Sequence, residues 1–80
     1  NSHQMDKYTI YSRNVCSYCV AAKNLLASKN LDFIEKNIDQ SQDFFNEMRQ
    51  LAPTMRTVPV IFKNNELIGG YTELLNTFND

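Results

Sequence analysis

The sequence predicts an α/β fold in which the elements follow one another as β-α-β-α-β-β-α. Short segments rich in β-branched and aromatic residues alternate with longer segments that have the apolar spacing of helices. Such alternation favours a sheet whose first two strands are parallel and joined through a helix. A pair of cysteines, Cys16 and Cys19, stands where the first strand is expected to pass into the first helix. We therefore expect a mixed sheet with two thiols at its first strand-to-helix junction.

The first half of the chain predicts one strand–helix–strand crossover. Strand one is expected over Lys7 to Tyr11, helix one over about Ser17 to Lys29, and strand two over Leu31 to Ile38. Asn30 tolerates the left-handed conformation that ends many helices. A crossover of this length implies parallel, right-handed pairing of the two strands. Helical spacing puts the core stripe of helix one at Cys19, Ala22, Leu25 and Leu26.

Helix two is expected to follow a cap at Asp39 or Ser41 and to end before Pro53. Its apolar residues recur at helical spacing and therefore predict a core-facing stripe rather than a ligand pocket. These residues are Phe44, Phe45, Met48, Leu51 and Ala52.

A hairpin and a third helix complete the predicted fold. Val58 to Phe62 is an almost continuous apolar run, which is typical of a central, buried strand. Lys63 to Glu66 predicts a tight turn because asparagines tolerate positive φ, and Leu67-Ile68 returns antiparallel. Gly69-Gly70 ends that strand, and Thr72 can cap the last helix. The apolar face of this helix is Leu74, Leu75 and Phe78.

Composition excludes several classes of protein. The net charge is −1 with both signs interspersed, so no basic arm for nucleic acid is present. No apolar run approaches the roughly 20 residues of a membrane span, and no export signal is visible. We therefore expect a cytoplasmic protein, in which cysteines are more often catalytic than structural. Residues 1–4, ahead of Met5, resemble an expression-tag remnant, and residues 5–80 are expected to form one domain.

The position of the cysteines favours redox chemistry. Free amide groups and the positive end of the helix dipole favour a thiolate at Cys16, and Arg13 adds positive charge nearby. Cys19 lies on the same helical face and can reach the first sulfur. A structural zinc site would need about four ligands, whereas the chain offers two cysteines and His3. A structural disulfide closing so short a loop would stabilise the fold poorly.

Pro59 also stands out, because its neighbours are strand-like and proline cannot donate to a strand ladder. It must therefore stand at the start of its strand. A trans-proline there is the ordinary interpretation. A cis-proline would instead hold the backbone of Thr57 and Val58 open beside the cysteines, where an extended peptide could pair with it.

Three motifs, in this order and spacing, resemble the glutaredoxin family. They are Cys16-Ser17-Tyr18-Cys19, Thr57-Val58-Pro59 and Gly69-Gly70-Tyr71-Thr72-Glu73-Leu74, and the resemblance covers nearly everything from Lys7 to Phe78. It implies a minimal thioredoxin fold, with a four-stranded mixed sheet of order 2-1-3-4 and helices on both faces. It also implies that Pro59 is cis.

The resemblance implies a glutathione-dependent thiol–disulfide oxidoreductase that acts as a monomer and needs no metal. Such a protein reduces disulfides and glutathione mixed disulfides in other proteins, ribonucleotide reductase being one candidate substrate. By position, Cys16 is the nucleophile and Cys19 the resolving thiol. The residues implied to bind glutathione are Arg13, Tyr18, Arg56, Thr57, Val58, Pro59, Gly70, Tyr71 and Thr72. Of these, Arg13 stands where the family binds a glutathione carboxylate, and Gly70, Tyr71 and Thr72 would receive the γ-glutamyl end.

Two other functions share these residues. A redoxin served by thioredoxin reductase has the same Cys-x-x-Cys and proline, although the glycine pair at 69–70 favours glutathione. An iron–sulfur carrier, with a glutathione-ligated cluster between two subunits, is the other alternative. Ser17 permits it, because some family members without proline at this position hold such a cluster through their first cysteine. Thr72 also departs from the Asp or Ser found there in many members, and Glu73 is a candidate to supply the missing charge.

Overall fold

The computed structural model of the chain describes residues 7–55 and 57–78. Its elements occur in the predicted order and begin and end within two residues of the predicted bounds. They are β1 (Tyr8–Ser12), α1 (Ser17–Ser28), β2 (Phe33–Asn37), α2 (Gln42–Leu51), β3 (Val60–Lys63), β4 (Glu66–Gly69) and α3 (Tyr71–Thr77). The proposed tag remnant at residues 1–4 and the candidate site residue Arg56 lie outside the described residues.

The four strands form one mixed sheet in the order β2-β1-β3-β4, as predicted. β1 pairs in parallel with β2, from Tyr8 opposite Phe33 to Ser12 opposite Asn37. β3 is antiparallel to both β1 and β4. β1 is therefore a central strand, and the loop that leaves its carboxyl end carries the cysteines.

The alternation of side chains along β1 divides the core between the two faces of the sheet. Tyr8 and Ile10 pack on one face with residues of α1 and α3, including Ala22, Leu26 and Leu74. Tyr11 points to the other face, where it packs with Met48 of α2 and with its neighbours. Both faces of the sheet are thus covered, which holds the β1–α1 junction in a fixed place.

Asparagines take positive φ values in two turns of the described chain. Asn64 and Asn65, between β3 and β4, have φ values of 52° and 71°, as expected for a two-residue hairpin turn. Asn30 ends α1 with φ of 59°, also as predicted. Asn64 further accepts a hydrogen bond on its side chain from the backbone N–H of Lys7, at 2.9 Å. This hydrogen bond ties the β3–β4 turn to the start of β1, at the end of the sheet remote from the cysteines.

Several predicted details are wrong. β3 begins at Val60 rather than Val58, because the proline before it has no N–H with which to pair. Leu51 is 54% exposed, since α2 ends there and Ala52 takes the buried position instead. Leu75 is 41% exposed, so it does not share the buried side of α3 with Leu74.

The predicted helix caps also need correction. Gly70, rather than Thr72, is the cap residue of α3, and the Glu73 carboxylate accepts its N–H at 2.9 Å. Ser41 stands at the cap position of α2 but makes no side-chain cap hydrogen bond. Asp39 does not cap α2 either, because its carboxylate binds the loop that precedes Cys16.

Candidate active site

The β1–α1 junction fixes the first cysteine at the end of a helix. Cys16 is the cap residue of α1, with an extended backbone, and its sulfur accepts a hydrogen bond from the Cys19 N–H at 3.1 Å. The two residues, whose Cα atoms are 5.2 Å apart, are joined by a disulfide. Because α1 is rich in alanine and leucine, a stable helix begins directly after the cap. An amide that points at the sulfur of Cys16 also stabilises negative charge there once the disulfide is reduced.

The two sulfurs differ in their access to solvent. Cys16 is half-buried, whereas Cys19 is 1% exposed and lies among the residues that α1 buries. An incoming disulfide can therefore reach Cys16 and not Cys19. This difference agrees with the roles that the sequence predicts for the two residues.

The loop before β3 forms the wall opposite Cys16. The peptide bond between Val58 and Pro59 is cis, as the resemblance implies. The carbonyl oxygen of Val58 lies 3.9 Å from the sulfur of Cys16, so this backbone adjoins the reactive atom. Pro59 itself is buried at the entrance to β3.

A groove of about 300 Å³ extends along this wall. The rings of Tyr18 and Tyr71 flank it, with their centroids 5.9 Å apart. Of the described residues predicted to bind glutathione, all except Arg13 line the groove. Its lining residues are Tyr18, Met55, Thr57, Val58, Pro59, Gly70, Tyr71, Thr72 and Glu73. Met55 was not anticipated, although its place just before the Thr57-Val58-Pro59 motif was the available signal. Among the described residues that line the groove, Glu73 is the charged one. Its carboxylate also accepts the N–H of Gly70, the cap residue of α3.

Arg13 lies in the loop between β1 and α1 and not among the described residues that line the groove. Its Nε donates a hydrogen bond to Asp39, at 3.2 Å, and the other oxygen of that carboxylate accepts the N–H of Asn14, at 3.0 Å. The bond from Asn14 is the main cause that holds the pKa of Asp39 below its usual value, and the positive charge of Arg13 adds to it. The sequence does not reveal this contact, because from the sequence Asp39 is predicted only as a candidate helix cap.

Within residues 7–55 and 57–78, no group of three or more His, Cys, Asp or Glu side chains is arranged to hold a metal ion. The same part of the chain contains no helix long and apolar enough to cross a bilayer.

Comparison with known proteins gives a consistent result. The glutaredoxin family profile matches residues 8–68. A probable glutaredoxin of Synechocystis is 41% identical over 68 residues, which are 85% of this chain and 62% of that protein. The chain thus spans somewhat less than two thirds of the length of that relative.

Two solved structures are similar as well. Glutaredoxin 1 of Francisella tularensis, solved in complex with cacodylate, is 41% identical with a TM-score of 0.75, and the match covers 90% of this chain and 91% of that one. The glutaredoxin-like NrdH-redoxin of Escherichia coli, which has a thioredoxin-like activity profile, is 27% identical with a TM-score of 0.74, over 92% and 96% of the two chains. With its dithiol at the end of α1, its minimal thioredoxin fold and these relatives, the chain belongs to the glutaredoxin family.

Proposed function

We propose that this protein is a glutathione-dependent thiol–disulfide oxidoreductase that acts through Cys16 and Cys19. Membership of the family and the disulfide between the two residues support thiol–disulfide exchange. The observation that carries the glutathione dependence is the groove beside Cys16. It brings together seven of the residues that the sequence assigned to glutathione, namely Tyr18, Thr57, Val58, Pro59, Gly70, Tyr71 and Thr72.

The difference in exposure between the sulfurs gives the order of the steps. In the reduced protein the Cys16 thiolate attacks one sulfur of a substrate disulfide, and the other sulfur leaves as a thiolate that takes up a proton. Cys19 then attacks the sulfur of Cys16, which releases the substrate as a thiol and leaves the Cys16–Cys19 disulfide. Two glutathione molecules return the two electrons and two protons, and they leave as glutathione disulfide.

The shape and chemistry of the groove suit an extended tripeptide. In this proposal the backbone of Val58, whose carbonyl adjoins the Cys16 sulfur, pairs with the cysteinyl unit, so that the sulfur of glutathione faces Cys16. Tyr18 and Tyr71 offer apolar walls, and the Thr72 hydroxyl is available to the γ-glutamyl end. The Glu73 carboxylate supplies negative charge near the expected place of the ammonium group.

The partners in this proposal are glutathione and proteins that carry a disulfide or a glutathionyl group. A dithiol that must be returned to its reduced form works best in a reducing compartment such as the cytoplasm.

A coupled assay tests the glutathione dependence. Oxidised protein is mixed with NADPH and either glutathione plus glutathione reductase or thioredoxin reductase alone, and NADPH consumption is followed. We expect rapid consumption in the first mixture and little in the second. The Cys16→Ser variant should be inactive in both.

The second candidate is a redoxin reduced by thioredoxin reductase, and the similarity to the NrdH-redoxin supports it. The same assay decides between the two. Rapid NADPH consumption with thioredoxin reductase, together with a slow reaction with glutathione, would replace the first proposal by the second.

A further inference from the structure

The loop between β1 and α1 is tied to the turn that follows β2, and Asp39 is the centre of the tie. One oxygen of its carboxylate accepts from Nε of Arg13 and the other from the N–H of Asn14. Asn37 adds to the connection, because its side-chain amide donates to the side chain of Asn14 at 2.9 Å and its oxygen accepts the Asp39 N–H at 2.8 Å. We call this set, Arg13, Asn14, Asn37 and Asp39, the loop clamp.

The loop clamp lies directly before the reactive sulfur. Arg13 and Asn14 are three and two residues ahead of Cys16, and Val15 between them and the cysteine is 95% exposed. An exposed residue such as Val15 does little to fix the loop by packing. The hydrogen bonds of the clamp therefore determine how the chain enters α1, and with it where the sulfur stands.

The loop clamp also balances charge. Without Asp39, the guanidinium of Arg13 would be an uncompensated positive charge only three residues ahead of Cys16 in the chain, and nearby positive charge favours a thiolate. The carboxylate of Asp39 binds that guanidinium and offsets its field. This ion pair is largely exposed on the Arg13 side, at 56%, so its contribution to the stability of the fold is small.

We infer that Asp39 is a positioning residue for the dithiol: it holds the loop before Cys16 and offsets the charge of Arg13, and so sets how readily the Cys16–Cys19 disulfide is reduced. Reduction of the disulfide produces the Cys16 thiol, which can ionise to a thiolate. Any change that stabilises this thiolate therefore shifts the equilibrium toward the reduced protein. The inference concerns the same sulfurs as the proposed function but rests only on the dithiol chemistry of the family.

Four variants separate charge from anchoring. Asp39→Asn removes the charge but keeps an oxygen that can accept the Asn14 N–H, whereas Asp39→Ala removes both. Arg13→Gln leaves the Asp39 carboxylate uncompensated. The double variant Arg13→Gln/Asp39→Asn removes both charges and should restore the balance.

The measurement is the equilibrium constant for reduction by dithiothreitol at neutral pH. In this reaction dithiothreitol gives two electrons and two protons to the disulfide, and it ends as its own cyclic disulfide. We expect Asp39→Asn to raise the constant roughly two- to fivefold and Arg13→Gln to lower it by a similar factor. The double variant should return to within experimental error of the parent protein. These shifts should shrink in about 1 M salt, because salt screens exposed charges.

Asp32→Asn is the matched control, since it removes an equal charge just before the start of β2, at the end of that strand remote from Asp39. It should leave the equilibrium constant unchanged. Asp39→Ala should shift the constant as Asp39→Asn does, and should also slow the reaction of the reduced protein with a small disulfide, because the loop is no longer held.

Equal constants for the parent protein, Asp39→Asn and Arg13→Gln would overturn the inference. So would shifts of the same sign in the two single variants, or shifts that do not respond to salt, because these would indicate a purely structural effect. Dithiothreitol serves as the reductant throughout, so failure of the glutathione dependence would not affect the result.

Discussion

Cys16 and Cys19 are only three residues apart, yet the fold gives them different surroundings. Cys16 is the half-buried cap of α1, and its sulfur accepts the N–H of Cys19. Cys19 faces the core and is 1% exposed. A single turn of helix thus separates an accessible sulfur from a protected one.

Substitution of each cysteine by serine tests this difference. Cys16→Ser should abolish thiol-transfer activity, because the accessible sulfur is lost. Cys19→Ser should retain activity on a glutathionylated peptide but lose activity on substrates that require both protein thiols. Activity is measured with the two substrates in parallel. If Cys19→Ser were the inactive variant on the glutathionylated peptide, the assignment of the nucleophile would be reversed.

At the scale of single residues, the sequence predicts the residues that belong to a recognisable motif. It does not predict residues outside the motifs, such as Asp39, that position a motif residue through hydrogen bonds. The Cys-x-x-Cys spacing places both sulfurs, and the three motifs identify most of the groove. Asp39 was missed because it follows β2 in the sequence, and only the parallel pairing of β1 with β2 brings it beside Arg13 and Asn14. Such a contact depends on strand register, which single-residue chemistry does not encode.

At the scale of elements, the start of α3 is the junction that matters most for the groove. Gly69 has a φ of 128°, which L side chains rarely adopt, and an added Cβ would stand 2.8 Å from Cγ of Glu73. The chain can therefore turn sharply from β4 into α3, and Glu73 folds back onto the N–H of Gly70. This turn places Tyr71, Thr72 and Glu73 on the groove.

Glu73 can be tested by two substitutions. Glu73→Ala should lower the free energy of unfolding by about 1 kcal/mol, because the N–H of Gly70 loses its acceptor. Glu73→Gln keeps an acceptor oxygen and should lower it by less. Urea unfolding of both variants measures the difference. Equal losses in the two variants would show that charge rather than the hydrogen bond matters at this cap.

The start of α3 also shows which features of a helix can be predicted from the sequence. Threonine is a preferred cap residue and glycine a weaker one, so the sequence predicts Thr72 as the cap. The glutamate three residues after Gly70 was the better signal, because a carboxylate at that spacing reaches back to the cap N–H. The helices, strands and their order were predicted because segments with strand-like composition alternate along the chain with segments of helical apolar spacing. The exposed positions of Leu51 and Leu75 were not, since they depend on where each helix ends and what it packs against.

At the scale of the whole molecule, ion pairs join the sheet to its surroundings. Lys36 in β2 binds Glu47 in α2 at 2.6 Å, and the same carboxylate accepts the hydroxyl of the buried Tyr11. Lys23 in α1 binds Glu35 in β2 at 2.8 Å. The hydrogen bond from Lys36 is the main cause that holds the pKa of Glu47 below its usual value, and the bond from Lys23 does the same for Glu35. Burial is the main cause that raises the pKa of Tyr11, and its hydrogen bond to the charged Glu47 adds to the shift. The Tyr11 hydroxyl therefore stays protonated and donates to Glu47.

These shifts predict how stability depends on pH. A carboxyl whose pKa is lower in the folded than in the unfolded protein stabilises the fold fully above its unfolded value, near pH 4.3 for glutamate. That stabilisation is lost as the pH falls through the folded value. The melting temperature should therefore be flat near neutral pH and fall steadily below about pH 4.3. The melting temperature of the Glu47→Gln variant should fall less steeply with decreasing pH than that of the parent protein. An equally steep fall would show that Glu47 does not contribute to the acid sensitivity.

The most direct test of the account is the reaction of the Cys19→Ser variant with a disulfide, because the missing second thiol leaves the first intermediate trapped. The variant is mixed with oxidised glutathione or with cystine, and mass spectrometry of the intact protein and its peptides follows the adduct. We expect one glutathionyl group, located on Cys16, that forms markedly faster than the cysteinyl adduct because the groove binds the tripeptide. Equal rates with the two disulfides, or an adduct that does not form on Cys16, would contradict the proposed function.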